Sequence, residues 1–366
     1  MKVSIVTCFE SNEIRASFVQ KACNKMGHDT TVYTSDFSHI KKKHRNSIPQ
    51  SFIAIKTKPY TRNLSISRII SHLDFSRKVF NRIRENVPDL IWVMAPANSL
   101  IKKAKQFKEE HPEVKIIIDI IDMWPESLPI KMKKDFFLFK IWRGFRKNSI
   151  NCADRIISEC ELYNSILSNE TNKIIETIYW SKESNKSYVK NTISDTPLSL
   201  CYLGSINNII DIDKIHQIIC SFKTSVDLHI IGDGETTELF IERLSKICNV
   251  KYYGAIWDEN QKSAIMKNCH AGINIYKDNL FIGLTVKCID YFENSLPIIN
   301  NIKGDTWDMV EKNKLGINVR NNVNCSKEDI IKLRLDNEHI FRFFKESFSE
   351  EAFINKCSRA INEVIG

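Results

Sequence analysis

The chain has 366 residues, 43% of them hydrophobic and 27% charged, which excludes a disordered protein. The length exceeds what one core comfortably serves, so two domains are expected. A formal net charge of +9 calls for an anionic partner, whether nucleotide, lipid phosphate, membrane surface or nucleic acid, without choosing among them.

Strands and helices alternate along the chain. Residues 3–7 read as a buried strand and 12–26 as a helix closed by Gly27. Residues 30–34 form a second strand, followed by a helical run at 66–84 and a strand at 89–94. The stretch 114–121 (VKIIIDII) is β-branched enough for a strand covered on both faces. Strands at 154–158 and 174–178 complete a βαβ series, hence a parallel sheet. Residues 181–196 are polar and end at Pro197, the composition of a linker. The rhythm then restarts with strands at 198–203, 226–231, 250–253, 272–276 and 297–300. A long amphipathic helix is expected over 347–365.

The pattern predicts an α/β protein of two Rossmann-like parallel-sheet domains facing across a cleft. The first spans 1–185, the second 197–345, and the segment 346–366 is a C-terminal helix able to cross back to the first. Ligands of such sheets sit at the carboxyl ends of the strands.

Several segments could carry chemistry at those ends. Gly204-Ser205 follows strand 198–203, and Gly232-Asp233-Gly234-Glu235 follows strand 226–231. A glycine turn opening a helix brings backbone N–H groups to a phosphate. Either turn alone is also what a tight strand-to-helix connection looks like; two in consecutive units point to a nucleotide. Further on, Gly283, Leu284 and Thr285 open a helix, with Lys287 in its first turns and Asp290 three residues later on the same face. The helix N-terminus and Lys287 can hold a diphosphate, and Asp290 can accept hydrogen bonds from ribose hydroxyls. A surface ion pair is the plainer alternative.

In the first half, Asp119, Asp122 and Glu126 lie in DIIDMWPESL, just after strand 114–121. Carboxylates at a strand's carboxyl edge can accept hydrogen bonds from sugar hydroxyls; helix capping and packing explain the same residues. Glu10 and Arg15, after the first strand, are candidate ligand contacts or solvated loop charges. Residues 131–147 (KMKKDFFLFKIWRGFRK) place Phe137, Leu138, Ile141, Trp142 and Phe145 on one helix face, with Lys140, Arg143 and Lys147 opposite. Seven basic side chains face one acid, Asp135, as in an interfacial membrane helix. A helix packed on the sheet is the alternative.

The second half resembles family 4 of the retaining GT-B glycosyltransferases, which carry E-x7-E followed by a P-[VI]-[IV] strand. Pro297-Ile298-Ile299 matches that strand and Asp290 falls on the second acid. The first acid falls on Ile282, and the usual basic residues after the first strand of this half are replaced by Ser205 and aliphatics. D-x-W-P-E-S-L resembles the same stretch in bacterial transferases that build O-antigen and capsule repeat units.

The resemblance implies a retaining transfer from a nucleotide sugar, UDP-linked and with a lean toward an N-acetylated amino sugar. The acceptor it implies is a polyprenyl-diphosphate-linked saccharide. Gly204, Ser205, Gly234, Glu235, Gly283, Leu284, Thr285, Lys287 and Asp290 would contact the donor. Glu10 and Arg15 would contact the acceptor, and Asp122 and Glu126 would be catalytic. Neither metal nor other cofactor is implied, and Asp211-Ile212-Asp213 reads as a helix cap. The acidic residues Asp119, Asp122 and Glu126 speak against nucleic acid. Alternatives are a non-catalytic nucleotide-sugar-binding partner and a GT-B UDP-sugar epimerase.

Eleven cysteines without a C-x2-C pair fit neither a disulfide framework nor a zinc site, and suggest a reducing compartment. The first residues lack the apolar run of a signal peptide, and no window approaches the roughly 18 apolar residues of a membrane span. The expected location is cytoplasmic, peripheral at the inner face of the cell membrane through 131–147.

Overall fold

The computed structural model describes residues 1–128, 137–190, 197–320 and 325–366, and the chain divides into two compact units. The first comprises Met1–Trp180 and Glu350–Gly366, the second Ser181–Ser349.

The first unit begins with β1 (Lys2–Val6), α1 (Glu13–Lys25) and β2 (Asp29–Ser35), followed by a short hairpin of β3 (Phe37–Ser38) and β4 (Lys43–His44). There follow β5 (Phe52–Ile55), α2 (Ile66–Arg84), β6 (Leu90–Ala95), α3 (Asn98–Glu110), β7 (Lys115–Ile120), α4 (Phe137–Lys147), β8 (Arg155–Ser158), α5 (Glu161–Leu167) and β9 (Ile175–Thr177). Seven strands form a parallel sheet in the order β5-β2-β1-β6-β7-β8-β9. Every residue of β6 is buried, which is why its sequence shows no alternation. Strand order reverses between β1 and β6, and a crevice opens at such a reversal because the flanking connections leave on opposite faces.

The second unit holds β10 (Leu198–Leu203), α6 (Ile212–Ser221), β11 (Val226–Ile231), α7 (Thr237–Leu244), β12 (Asn249–Tyr252), α8 (Glu259–Lys267) and β13 (Ala271–Asn274). It continues with α9 (Val286–Glu293), β14 (Ile298–Asn300), α10 (Asp305–Asn313), β15 (Gly316–Asn318), α11 (Lys327–Leu335) and α12 (Glu338–Phe348). Its parallel sheet runs β12-β11-β10-β13-β14-β15, reversing between β10 and β13. Asn274, Asn300 and Asn318 end three adjacent strands in register. Their amides form a ladder, Asn274 Nδ2 donating to Asn300 Oδ1 and Asn300 Nδ2 to Asn318 Oδ1, both at 2.8 Å.

The polar stretch read as a linker is fastened where it is described. Lys182 N donates to Phe348 O (2.9 Å), Lys186 Nζ to Ser263 Oγ (2.5 Å) and Tyr188 Oη to Asn337 Oδ1 (2.9 Å). Its polarity therefore serves ion pairs and hydrogen bonds within the second unit; residues 191–196 lie outside the described residues.

The helix expected over 347–365 is two helices. Ser349 is extended (φ −73°, ψ 156°) after α12, and α13 (Glu350–Ile365) begins at the next residue. Phe353, Cys357, Ala360, Ile361 and Val364 of α13 join the core of the first unit with Phe18, Trp92 and Ile117.

Candidate functional site

At the strand-order reversal of the second unit, Tyr202 lies near the end of β10 and Tyr276 just beyond β13. Lys287, in the first turn of α9, places its ammonium 4.5 Å from the Tyr202 ring centroid and 4.4 Å from that of Tyr276. The ammonium is buried and has no hydrogen-bond partner among the described residues. Burial pulls its pKa down to about 7, because removing a cation from water without a counter-ion favours the neutral form. The two ring faces offset only part of that loss.

The start of α9 is open in the same place. Thr285 occupies the capping position, but its side chain makes no capping hydrogen bond. The Thr285 hydroxyl donates instead to Asn274 Oδ1 (3.0 Å), the first rung of the asparagine ladder. Thr306 fixes the preceding loop by donating its amide (2.9 Å) and hydroxyl (2.7 Å) to Gly283 O. Gly283, Leu284 and Thr285 are thus a fixed platform, and the positive end of the α9 dipole is left for an anion.

The two glycine turns divide in role. A Cβ on Gly232 would lie 1.9 Å from Gly204 O, and one on Gly234 2.3 Å from Ile206 O. Glycine at 232 and 234 is therefore demanded by backbone packing between the turns. Gly204, at φ +113°, has open space where a Cβ would be, and Ser205 beside it is exposed. Glu235 is exposed and accepts the amide of Asn208 (3.3 Å).

Asp290 does not join Lys287. Lys182 donates to the Asp290 carboxylate and to Glu259 (2.6 Å), and lies 3.0 Å from Glu293. These three carboxylates are the one group of possible metal-ligating side chains among the described residues, and the ammonium of Lys182 sits where a cation would. The expected ribose contact is thus replaced by an ion pair: burial pushes the Asp290 carboxyl up, and Lys182 opposes that rise.

In the first unit, the carboxyl edge near the reversal gathers Phe9, His39, Tyr60, Arg68, His72 and Trp124. The Arg68 guanidinium lies 3.7 Å from the Trp124 ring centroid and donates Nη1 to Asn63 O (3.0 Å). Among the described residues no carboxylate comes within ion-pair distance of it, and burial lowers its pKa to about 10. Burial, then the Arg68 charge, pushes His39 down to about 4 and holds His72 well below the ordinary imidazole value, so both are neutral at pH 7. Arg68 and His72 are not legible as site residues from sequence motifs; their i,i+4 spacing at the start of α2 is the available signal.

Asp122 is partly buried at this edge. Burial raises its pKa against the opposing hydrogen bonds of Ser127 and Trp124, so it takes up a proton more readily than an exposed aspartate.

The other expected acidic and basic contacts prove structural. Glu126 is held by Arg143 Nε (2.7 Å) and by Arg146 Nη1 (3.1 Å) and Nη2 (3.0 Å). Arg146 also binds Glu170, so Glu126 anchors α4 rather than facing a substrate. Arg15 is buried and forms a two-point bond with Asp119 (2.8 and 2.9 Å), to which Trp92 Nε1 also donates (3.0 Å). Neither Arg15 nor Asp119 can reach an acceptor. Glu10 accepts from Ser38 Oγ (2.6 Å) and from the amides of His39 and Ile40 (both 2.9 Å), stapling the loop after β2.

Helix α4 splits its apolar face. Phe139 and Trp142 pack against Ile69 of α2, whereas Phe137 and Ile141 are 57% and 44% exposed. Residues 131–136 of the basic segment lie outside the described residues. Among those described, no helix is long and apolar enough to cross a membrane.

No protein-family model and no curated protein matches the chain. Solved structures do. Sucrose-phosphate synthase from Thermosynechococcus elongatus aligns at TM-score 0.70 and 10% identity, over 100% of this chain and 99% of that one. The lipopolysaccharide outer core galactosyltransferase WaaB aligns at 0.69 and 13%, over 99% of both chains. HepE of Anabaena, solved with UDP, aligns at 0.70 and 12%, over 99% of this chain and 100% of its own. The chain has the GT-B fold. Each parallel sheet is one Rossmann-like half of it. At this identity the GT-B likeness concerns the backbone, and the chemistry rests on the side chains just described.

Proposed function

We propose that the chain is a retaining, metal-independent glycosyltransferase that takes a sugar from a nucleotide diphosphate, UDP being the first candidate. The observation that carries this reading is the buried, unpartnered ammonium of Lys287 beside the open start of α9. Glycosyl transfer leaves negative charge on the departing diphosphate. A fixed cation and fixed N–H dipoles, placed before the reaction, stabilise that charge without reorganising. Gly204 and Ser205 offer open backbone just after β10, the strand that carries Tyr202. HepE, solved in complex with UDP, supports the choice of base.

Asp122 takes the proton of the acceptor hydroxyl as the new bond forms on the face the diphosphate leaves. The acceptor is a polyprenyl-diphosphate-linked saccharide of a bacterial surface polysaccharide, O-antigen or capsule; WaaB, described as acting on lipopolysaccharide, supports a surface glycan. Exposed Phe137 and Ile141, with Lys102, Lys105, Lys140 and Lys147 nearby on α3 and α4, suit the anionic inner leaflet. The protein would work there as a cytoplasmic, peripheral enzyme.

Calorimetric titration with UDP and GDP, with and without magnesium, tests the donor site on the wild type and on Lys287→Met. Magnesium-independent binding of one nucleotide, lost in the variant, supports it; binding of neither rejects it. Isotope-traced transfer to lipid-linked acceptors tests the reaction. Asp290 tied to Lys182, and Ile282 where the resemblance has an acid, favour the second reading, a non-catalytic nucleotide-sugar-binding partner. Donor binding without any transfer would establish that reading instead.

A further inference from the structure

A cleft of about 910 Å³ opens at the carboxyl end of the second unit's sheet, beyond β14 and β15. Its walls come from Lys214 of α6, Trp307 of α10, and Lys303 and Arg320 in the loops after β14 and β15. Lys287 and the two tyrosines around it are not among its lining residues.

Lys214 is the first observation that marks this cleft as a built site. The residue is only 8% exposed, yet its ammonium makes no hydrogen bond to a described residue. Asp278, across the cleft, is 3.9 Å away, an ion pair beyond hydrogen-bond reach. With Asp278 only at ion-pair distance, the Lys214 ammonium keeps its donors for an anion in the cleft.

Trp307 is the second. Its indole is partly exposed to the cleft, Arg320 covers it at 5.3 Å, and Asn318 Nδ2 holds its carbonyl at 2.9 Å. A flat indole on a fixed backbone is a surface on which the C–H face of a pyranose packs, whereas a bare inorganic anion gains nothing from it. Three cations, Lys214, Lys303 and Arg320, face two carboxylates, Asp278 and Glu311, so the cleft carries an excess of positive charge.

Asn301 supplies the third. It bonds both backbone groups of Tyr276, accepting from the amide (2.9 Å) and donating to the carbonyl (2.6 Å). The cleft wall is therefore rigid.

We propose that this cleft binds a saccharide ring bearing a carboxylate or phosphate, with the anion on Lys214 and the ring face on Trp307. The inference stands on the cleft alone and does not require the Lys287 site.

Saturation-transfer NMR on the full chain tests it, with glucuronic acid, glucose 1-phosphate, glucose and inorganic phosphate as probes. One or both anionic sugars should bind saturably, and glucose and phosphate at least tenfold more weakly; which sugar binds distinguishes a uronate from a sugar phosphate. Trp307→Ala should weaken the anionic sugar at least tenfold, and Lys214→Met should erase its advantage over glucose. Should Lys214→Met fail to fold, Lys214→Gln and Arg320→Met carry the same test, with circular dichroism as the folding check. UDP affinity of the folded Lys214 variant should stay at the wild-type value, which separates this site from the donor site. The proposal is overturned if neither anionic sugar binds the wild type, if phosphate alone binds as tightly, or if the Lys214 and Trp307 variants bind unchanged.

Discussion

Proton uptake on nucleotide binding follows directly from the state of Lys287. In the free protein burial holds its pKa at about 7, against an ordinary value of 10.5. A diphosphate placed against the ammonium supplies the missing counter-charge and returns the pKa toward 10.5. At pH 8.5 the free lysine is only about 3% protonated and the bound one about 99%, so binding takes up close to one proton. At pH 6 both states are charged and the uptake falls to about 0.1. Because the bound state has the higher pKa, affinity is complete below pH 7 and declines about tenfold per pH unit from there until the bound lysine itself titrates. Calorimetry at pH 8.5 in buffers of differing ionisation enthalpy reads the proton directly. Lys287→Met should abolish both the uptake and the slope. Wild-type affinity that is flat from pH 7 to 9, or an uptake that persists in the variant, would refute the assignment of Lys287 to the phosphates.

Three further outcomes are expected. Asp119→Ala leaves the Arg15 guanidinium buried and unpaired, which should cost about 3–5 kcal/mol in urea denaturation. Lys182→Met removes the cation shared by Glu259, Asp290 and Glu293. Although burial works against them, Glu259 is held below the usual carboxylate range by Lys182 and Lys262, and Glu293 by the Ser184 hydroxyl and then by Lys182 and Lys186. That stabilisation is complete at neutral pH and vanishes as the acids protonate, so the gap between wild type and variant should close on acidification from pH 7 to 4. Replacing both Phe137 and Ile141 by serine should weaken sedimentation with vesicles containing anionic lipid by at least about tenfold, from the lost apolar burial alone. Equal binding of wild type and variant would remove α4 from the membrane assignment.

The strands that organise both sheets were legible because burial on both faces turns them into unbroken apolar runs, as at 114–121 and 226–231. The start of α9 was legible for a local reason: a glycine-containing loop, a helix and a lysine lie within a few residues of one another. What escaped the sequence depends on partners far apart in it. Arg15 looked like a loop charge because Asp119, which buries it, lies 104 residues away. Asp290 looked free because Lys182 is 108 residues away. The break at Ser349 was hidden because the amphipathic period runs through it. The two helices bury their apolar faces in different cores: Phe344 and Phe348 in the second unit, Phe353 and Ile361 in the first. Lys214 and Trp307, 93 residues apart, give no local pattern that would join them.

The distribution of buried charge separates structural from functional side chains more sharply than any motif does. Arg15 meets Asp119, Arg146 meets Glu126 and Glu170, and Lys182 meets three carboxylates, each at hydrogen-bond or ion-pair distance. A fold that satisfies these ions so fully has no physical difficulty in placing a carboxylate beside a lysine. Lys287 and Lys214 depart from the rule at the carboxyl edge of one sheet, where doubly wound folds open toward ligands. An uncompensated buried ammonium lowers stability, and position 287 would pack more favourably as methionine or leucine if packing were its purpose. The compensation that Lys287 lacks among the described residues, and that Lys214 gets only loosely from Asp278, is what an anionic ligand brings. The residues the family resemblance marks as acids do not supply that contact: Ile282 cannot, and Asp290 is already paired. On this reading the chain has moved the handling of ligand charge from exposed loop residues to cations stored under the sheet edge.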